Sequence, residues 1–87
     1  MIKAFFKAQT SEGRLIYLIG SGLAGAGEAA RELAGHWGIG VGEPEEVPLS
    51  EISATVEDGS DDHTVVVNAL QDYEGPGMFL FSRPIDP

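Results

Sequence analysis

The sequence predicts an α+β fold in which a single helix packs on a mostly antiparallel sheet, in the order β-β-α-β-β-β. Three observations favour this fold class. Short apolar stretches at strand length occur near both ends of the chain. One Gly/Ala-rich stretch carries apolar residues at helical spacing. Turn signals separate the elements and no long linker interrupts them, so residues 1–87 are expected to form a single compact domain.

The first half of the chain predicts a hairpin followed by the helix. Residues 2–8 alternate in polarity, residues 9–13 are polar and end in Gly13, and residues 14–19 are apolar. In the helix, glycines cost about 1 kcal/mol each relative to alanine, so the helix is expected mainly over residues 28–37. Its apolar stripe, which places Trp37 in the core, consists of Leu23, Ala26, Ala30, Leu33 and Trp37.

The second half predicts three further strands. Residues 39–49 contain glycines and prolines and are expected to be a connection. Residues 51–57 and 63–70 are predicted as strands joined at Asp58-Gly59, a strong hairpin signal. Residues 78–81 follow a turn as the last strand. Because one helix covers one face of a sheet, while Phe79 and Phe81 oppose Met78 and Leu80, an open apolar face is expected. A partner or a second copy of the chain, in a homodimer, is the expected occupant; the alternative is a strongly twisted sheet whose ends bury these rings.

Charge is the most informative feature of the composition. Five basic residues face fourteen acidic ones, which gives a net charge of −9, and no lysine or arginine lies between Arg31 and Arg83. Such a field repels nucleic acid and anionic membranes and attracts basic surfaces. We therefore expect a protein partner with a basic surface, and neither direct nucleic-acid binding nor membrane binding; the alternative is that the charge serves solubility alone. The candidate partner-binding residues are Glu43, Glu45, Glu46, Glu51, Glu57, Asp58, Asp61, Asp62 and Tyr73.

Residue types that carry catalysis are scarce. The chain has no cysteine, its two histidines are His36 and His63, and it contains no G-x-S-x-G motif. Asp61 and His63 form at best a weak surface metal site. The surrounding residues do not match a calcium-binding loop, because they lack its glycine and its final glutamate. We therefore expect no enzyme activity and no cofactor. The absence of cysteine, of a signal peptide and of a membrane-length apolar run leads us to expect a cytoplasmic protein.

One motif supports an alternative function. Residues 20–25 match G-x-G-x-x-G between a predicted strand and the helix, and Glu43 follows at about the spacing of a ribose-binding acid. This stretch resembles the dinucleotide-binding fingerprint of flavin and nicotinamide enzymes. The resemblance implies that Gly20, Gly22 and Gly25 cradle a pyrophosphate and that Glu43 holds a ribose hydroxyl. The other interpretation is close packing of small residues, because the remaining chain carries hairpin signals and no further βα units.

Small size, acidity, the β-β-α-β order and the lack of catalytic groups resemble the small phage and mobile-element proteins that inhibit host machinery, including anti-CRISPR proteins. The resemblance implies a non-enzymatic inhibitor that presents carboxylates where a partner expects phosphates. A self-associating structural subunit, using the open sheet face, is a further alternative.

Overall fold

The computed structural model describes residues 3–56, 59–73 and 75–85. Four strands and three helices occur among them, in the order β1 (Ala4–Gln9), β2 (Arg14–Gly20), α1 (Leu23–Trp37), β3 (Glu45–Val47), α2 (Leu49–Thr55), α3 (Asp61–Asp72) and β4 (Gly77–Pro84). The strands form one sheet of order β3-β1-β2-β4, in which every neighbouring pair is antiparallel. The α+β class is confirmed, whereas the predicted single helix and the predicted element order are wrong.

Helices cover both faces of the sheet. α1 packs on one face, where the core includes Phe6, Ile16 and Leu18. α2 and α3 pack on the other face, where Ile52 and Val66 are buried. The face that the sequence analysis expected to be open is therefore occupied by the chain's own helices in the described residues, which removes the structural basis for a homodimer through that face.

α3 replaces the strand predicted over residues 63–70. Its start is well capped, because the Ser60 side chain accepts a hydrogen bond from the backbone N–H of His63 at 3.1 Å. Asp61 and Asp62 occupy the first turn, where the helix dipole favours negative charge. These local effects, together with burial of Val66, outweigh the strand preference of the three consecutive valines.

α2 replaces the edge strand predicted over residues 51–57, of which residue 57 lies outside the described residues. Pro48 takes the N-cap position, where its missing N–H costs nothing. Ile52 is completely buried against the sheet and provides the packing that a helix of this length requires. The predicted hairpin at Asp58-Gly59 is consequently wrong; Gly59 has a positive φ of 80° and precedes the cap of α3.

Two details of packing also differ from expectation. β4 contains a bulge opposite the step from Tyr17 to Leu18, so Phe81 joins Leu80 on the α2–α3 face and Phe79 lies on the α1 face. In α1, the buried face consists mainly of Gly25, Ala26, Ala29 and Ala30. Leu23 and Trp37, placed in the core by the predicted stripe, are 61% and 44% exposed.

Candidate partner-binding surface

Three of the candidate carboxylates belong to the short edge strand β3 and the residues that lead into it. Glu45 pairs with Lys7 of β1 and Glu46 pairs with Phe6, so the two glutamates point to opposite faces of the sheet. Both are exposed, as is Glu43. Glu43 and Glu45 line one cavity of about 430 Å³ together with Lys7. The structure thus brings these three glutamates to one sheet edge.

Glu51 joins this group through an ion pair. Its carboxylate lies 3.1 Å from Lys7 Nζ, and both side chains are about one-third exposed. The pKa of Lys7 is raised above its ordinary value of 10.5, chiefly by the hydrogen bond to Glu51, with additional attraction from the carboxylates of Glu51 and Glu45 and an opposing effect of desolvation. Lys7 therefore stays protonated at neutral pH and neutralises part of the acidic edge.

The remaining candidates lie elsewhere. Asp61 and Asp62 begin α3 and do not line the cavity beside Lys7. Glu57 and Asp58 lie outside the described residues. Among the predicted carboxylates that the structure describes, four therefore lie at or beside the β3 edge and two, Asp61 and Asp62, lie in the first turn of α3.

Tyr73, predicted as a contact anchor, has an internal role. Its side chain is half-buried and packs against the α2–α3 core. Its hydroxyl accepts a hydrogen bond from the backbone N–H of Gly77 at 2.8 Å. This bond connects the end of α3 to the start of β4.

Two of the five basic residues are bound to helix C-termini. Lys3 Nζ donates to the carbonyls of Ala69 (3.1 Å) and Leu70 (2.9 Å) in the last turns of α3. Arg83 donates to the carbonyl of Thr55 at the end of α2. Cations at these positions donate to carbonyls in the last helical turns and complement the helix dipole; the Ala69 carbonyl also accepts a hydrogen bond from the N–H of Tyr73 at 3.2 Å.

The other basic residues are also mostly engaged. Arg14 donates to the Ser82 hydroxyl from Nε (3.3 Å) and Nη2 (3.1 Å), and Lys7 pairs with Glu51. Arg31 is exposed on α1. Across the described ranges, Lys7–Glu51 is the one ion pair between a lysine or arginine and a carboxylate. Apart from Glu51, the carboxylates of the described residues therefore have no lysine or arginine within ion-pair distance.

The glycine-rich loop has a packing role. A Cβ on Gly25 would lie 1.8 Å from the carbonyl oxygen of Pro76, so only glycine permits this approach of α1 to the residues before β4. The N–H of Ser21 donates to the same carbonyl at 3.0 Å. In addition, β1 lies between β2 and β3, so the strand after α1 does not pair with β2 as a dinucleotide-binding fold requires. These observations favour the packing interpretation of the motif.

The candidate metal site at residues 58–63 receives no support. The part of the chain that the structure describes contains no group of three or more His, Cys, Asp or Glu side chains suited to a metal ion. His63 Nδ1 instead accepts a hydrogen bond from the N–H of Gly59 at 3.2 Å. The imidazole therefore helps to order the entry to α3.

The structure contains a groove between α1 and β4 that the sequence did not predict. We define the α1–β4 groove by six residues, which are Glu28, Ala29, Glu32 and Leu33 on α1 and Met78 and Phe79 on β4. It comprises two adjoining cavities of about 320 and 510 Å³ that share Ala29, Glu32 and Gly77. The sequence signal that could have found it is the spacing of Glu28 and Glu32, which places two carboxylates side by side on one helix face.

Comparison of the chain with protein-family models, with curated proteins and with solved structures found no match. Among the described residues, the helices are too short or too polar to cross a bilayer.

Proposed function

We propose that this chain is a non-enzymatic binding protein whose acidic surface occupies a basic, nucleic-acid-binding surface of another protein. The proposal depends on one observation: most basic side chains are bound to acceptors within the protein, whereas the carboxylates of one sheet edge are exposed. Lys3, Arg14 and Arg83 are held by internal acceptors, and Lys7 is paired with Glu51. Glu43, Glu45 and Glu46, by contrast, remain exposed at one edge.

The physical consequence is long-range attraction of a basic partner. A net charge of −9 is distributed over an accessible surface of 5262 Å². Exposed charges of one sign steer an oppositely charged surface and raise its rate of association, an effect that salt screens over about 8–10 Å at physiological ionic strength. A protein bound in this way excludes nucleic acid from the same basic surface.

The first experiment is capture with the tagged protein from nuclease-treated bacterial lysate, with elution by increasing salt and identification by mass spectrometry. The proposal expects recovery of a basic nucleic-acid-binding protein. The purified partner should then lose nucleic acid as this chain is added. Capture that resists high salt, or a partner that binds nucleic acid and this chain simultaneously, would contradict the proposal.

Charge-reversal variants locate the surface. The test double variant is E43K/E46K, because both side chains are exposed and neither forms the Lys7 ion pair. The control is E12K/D72K, which is also exposed and also changes the charge from −9 to −5, since each reversal changes it by two. Association with the captured partner should slow by at least about fivefold more in E43K/E46K than in the control. Equal rates would show that total charge acts without a defined surface.

A further inference from the structure

The α1–β4 groove combines an apolar floor with an acidic rim. Ala29 is buried, and Leu33 and Phe79 are half-buried along the floor of the groove; Met78 also borders the groove, but its side chain packs against the α2–α3 core. Glu32, on the exposed side of α1, lines both cavities of the groove. Apolar floors with a few placed polar groups are typical of binding sites.

An aromatic pair adjoins this floor. The rings of Trp37 and Phe79 meet edge to face, with centroids 5.5 Å apart and planes at 75°. Phe79 contributes to the groove, while Trp37 remains 44% exposed although it is one of the largest apolar side chains. Contact with Phe79 restricts the indole before any partner arrives, which lowers the entropy that binding costs. Tryptophan is one of the residue types enriched in binding hot spots.

Charge decides which occupant fits the groove. Glu28 and Glu32 are four residues apart on α1, where like charges repel each other. Arg31 lies beside them at the end of the groove near Pro76, whereas the cavity that contains Phe79 is lined by Glu32 and His36 and by no lysine or arginine. A bound lysine or arginine would relieve the repulsion. A second copy of this chain would bring a further net charge of −9.

We propose that the α1–β4 groove binds a basic, apolar segment of a partner protein, with an aliphatic side chain on the floor at Leu33 and Phe79 and a lysine or arginine at Glu32. Arginine suits the second role because its stem packs on apolar surface while its guanidinium reaches a carboxylate and stacks on an indole. This inference rests on the proposed function, since it identifies the segment of a basic partner that this chain binds.

The single tryptophan of the chain provides the assay. Trp37 emission is followed during titration with three peptides: acetyl-Lys-Leu-Arg-Leu-Lys-amide, its acidic counterpart with Glu at the charged positions, and its polar counterpart with Ser in place of Leu. The proposal expects saturable binding of the first peptide with a Kd below about 1 mM. It expects at least tenfold weaker binding of the other two, since one lacks the charge and the other the apolar contact.

Two single variants test the location. E32K should weaken the basic, apolar peptide at least about tenfold. E12K carries the same charge change on the β1–β2 turn and should remain within twofold of the parent protein. Circular dichroism checks that both variants stay folded.

Four outcomes would overturn the proposal: no saturable change up to about 5 mM peptide, equal binding of the Ser-containing peptide, equal effects of E32K and E12K, or emission that changes with protein concentration alone as a dimer forms. The last would assign the groove to a second copy. Because this titration uses neither nucleic acid nor captured protein, the peptide can bind even if competition with nucleic acid fails, and competition can succeed without the groove.

Discussion

Replacing Gly25 with alanine is the most demanding test of this structure. A Cβ at this position would lie 1.8 Å from the carbonyl oxygen of Pro76, where ordinary contact begins at 3.4 Å. The neighbouring atoms belong to the backbone, so no side-chain rotation relieves the clash. α1 and the residues before β4 would have to separate by about 1.6 Å, which would also stretch the 3.0 Å hydrogen bond from Ser21 to Pro76.

The expected magnitude follows from three contributions. Overpacking of a close contact costs about 1–3 kcal/mol, and loss of the Ser21 hydrogen bond costs about 0.5–1.5 kcal/mol. The higher helix propensity of alanine offsets up to about 1 kcal/mol of this loss. G25A should therefore lower the free energy of unfolding by about 0.5–3.5 kcal/mol, and the Tm by roughly 2–28 °C for a domain of this size.

Two other glycines of α1 provide matched controls. A Cβ added to Gly35 would have no neighbouring atom within 4 Å, and at Gly27 the nearest atom would be the flexible end of Arg31 at 3.6 Å. G35A should raise the unfolding free energy by about 0.5–1 kcal/mol, and G27A should do so by a similar or smaller amount. Urea denaturation followed by circular dichroism measures all three variants. If G25A were as stable as G35A, the close approach of α1 to Pro76 would be refuted.

Two further predictions concern single contacts. Because the folded-state pKa of Lys7 is raised above 10.5, its pair with Glu51 stabilises the protein below the unfolded pKa and is lost as pH rises through the folded pKa. Urea denaturation from pH 9 upward should show an alkaline loss of stability that K7M reduces, with an effect of at most about 1 kcal/mol at pH 7 for so exposed a pair; an unchanged alkaline profile in K7M would contradict this. Y73F removes the acceptor of the Gly77 N–H and should cost about 1–2 kcal/mol, whereas a variant as stable as the parent would show that water replaces the hydroxyl.

The elements with consistent local and tertiary signals were predictable. The β1–β2 hairpin follows from two apolar stretches around Gly13, which has the positive φ of 75° that favours glycine in turns. α1 was identified by its pattern, but it begins at Leu23, five residues before the expected start. Glycines argue against a helix when only propensity is counted. Here Gly25 permits a close contact between α1 and the backbone of Pro76, and helix propensity alone does not predict such a tertiary contact.

The second half was mispredicted because two local signals competed. Three consecutive valines favour a strand by side-chain stiffness. The helical signal was also present: Val65, Ala69 and Tyr73 are spaced four apart, and Ser60 precedes two aspartates in the manner of an N-terminal cap. Giving capping more weight than β-branching would have identified α3. That helix covers part of the sheet face that was expected to remain open.

The location of the candidate surface depended on these same elements. With α2 and α3 on the second face, the large apolar groups of the sheet are buried on both sides. A binding surface must then use the sheet edges and the rims of the helices. At the β3 edge, Glu45 and Glu46 discourage strand pairing with another chain, and the flanking Pro44 and Pro48 add to this effect.

In the proposed complex, the two edges of the sheet would serve different stages of binding. Exposed carboxylates at the β3 edge would act at a distance and set the rate of encounter, whereas an apolar contact such as that of Trp37 and Phe79 would act after contact and set the rate of dissociation. E43K/E46K should therefore slow association with a captured partner and flatten its salt dependence. W37A should speed dissociation and leave the salt dependence unchanged. If both variants altered the same rate constant, one surface would perform both roles, and the division between edge and groove would be wrong.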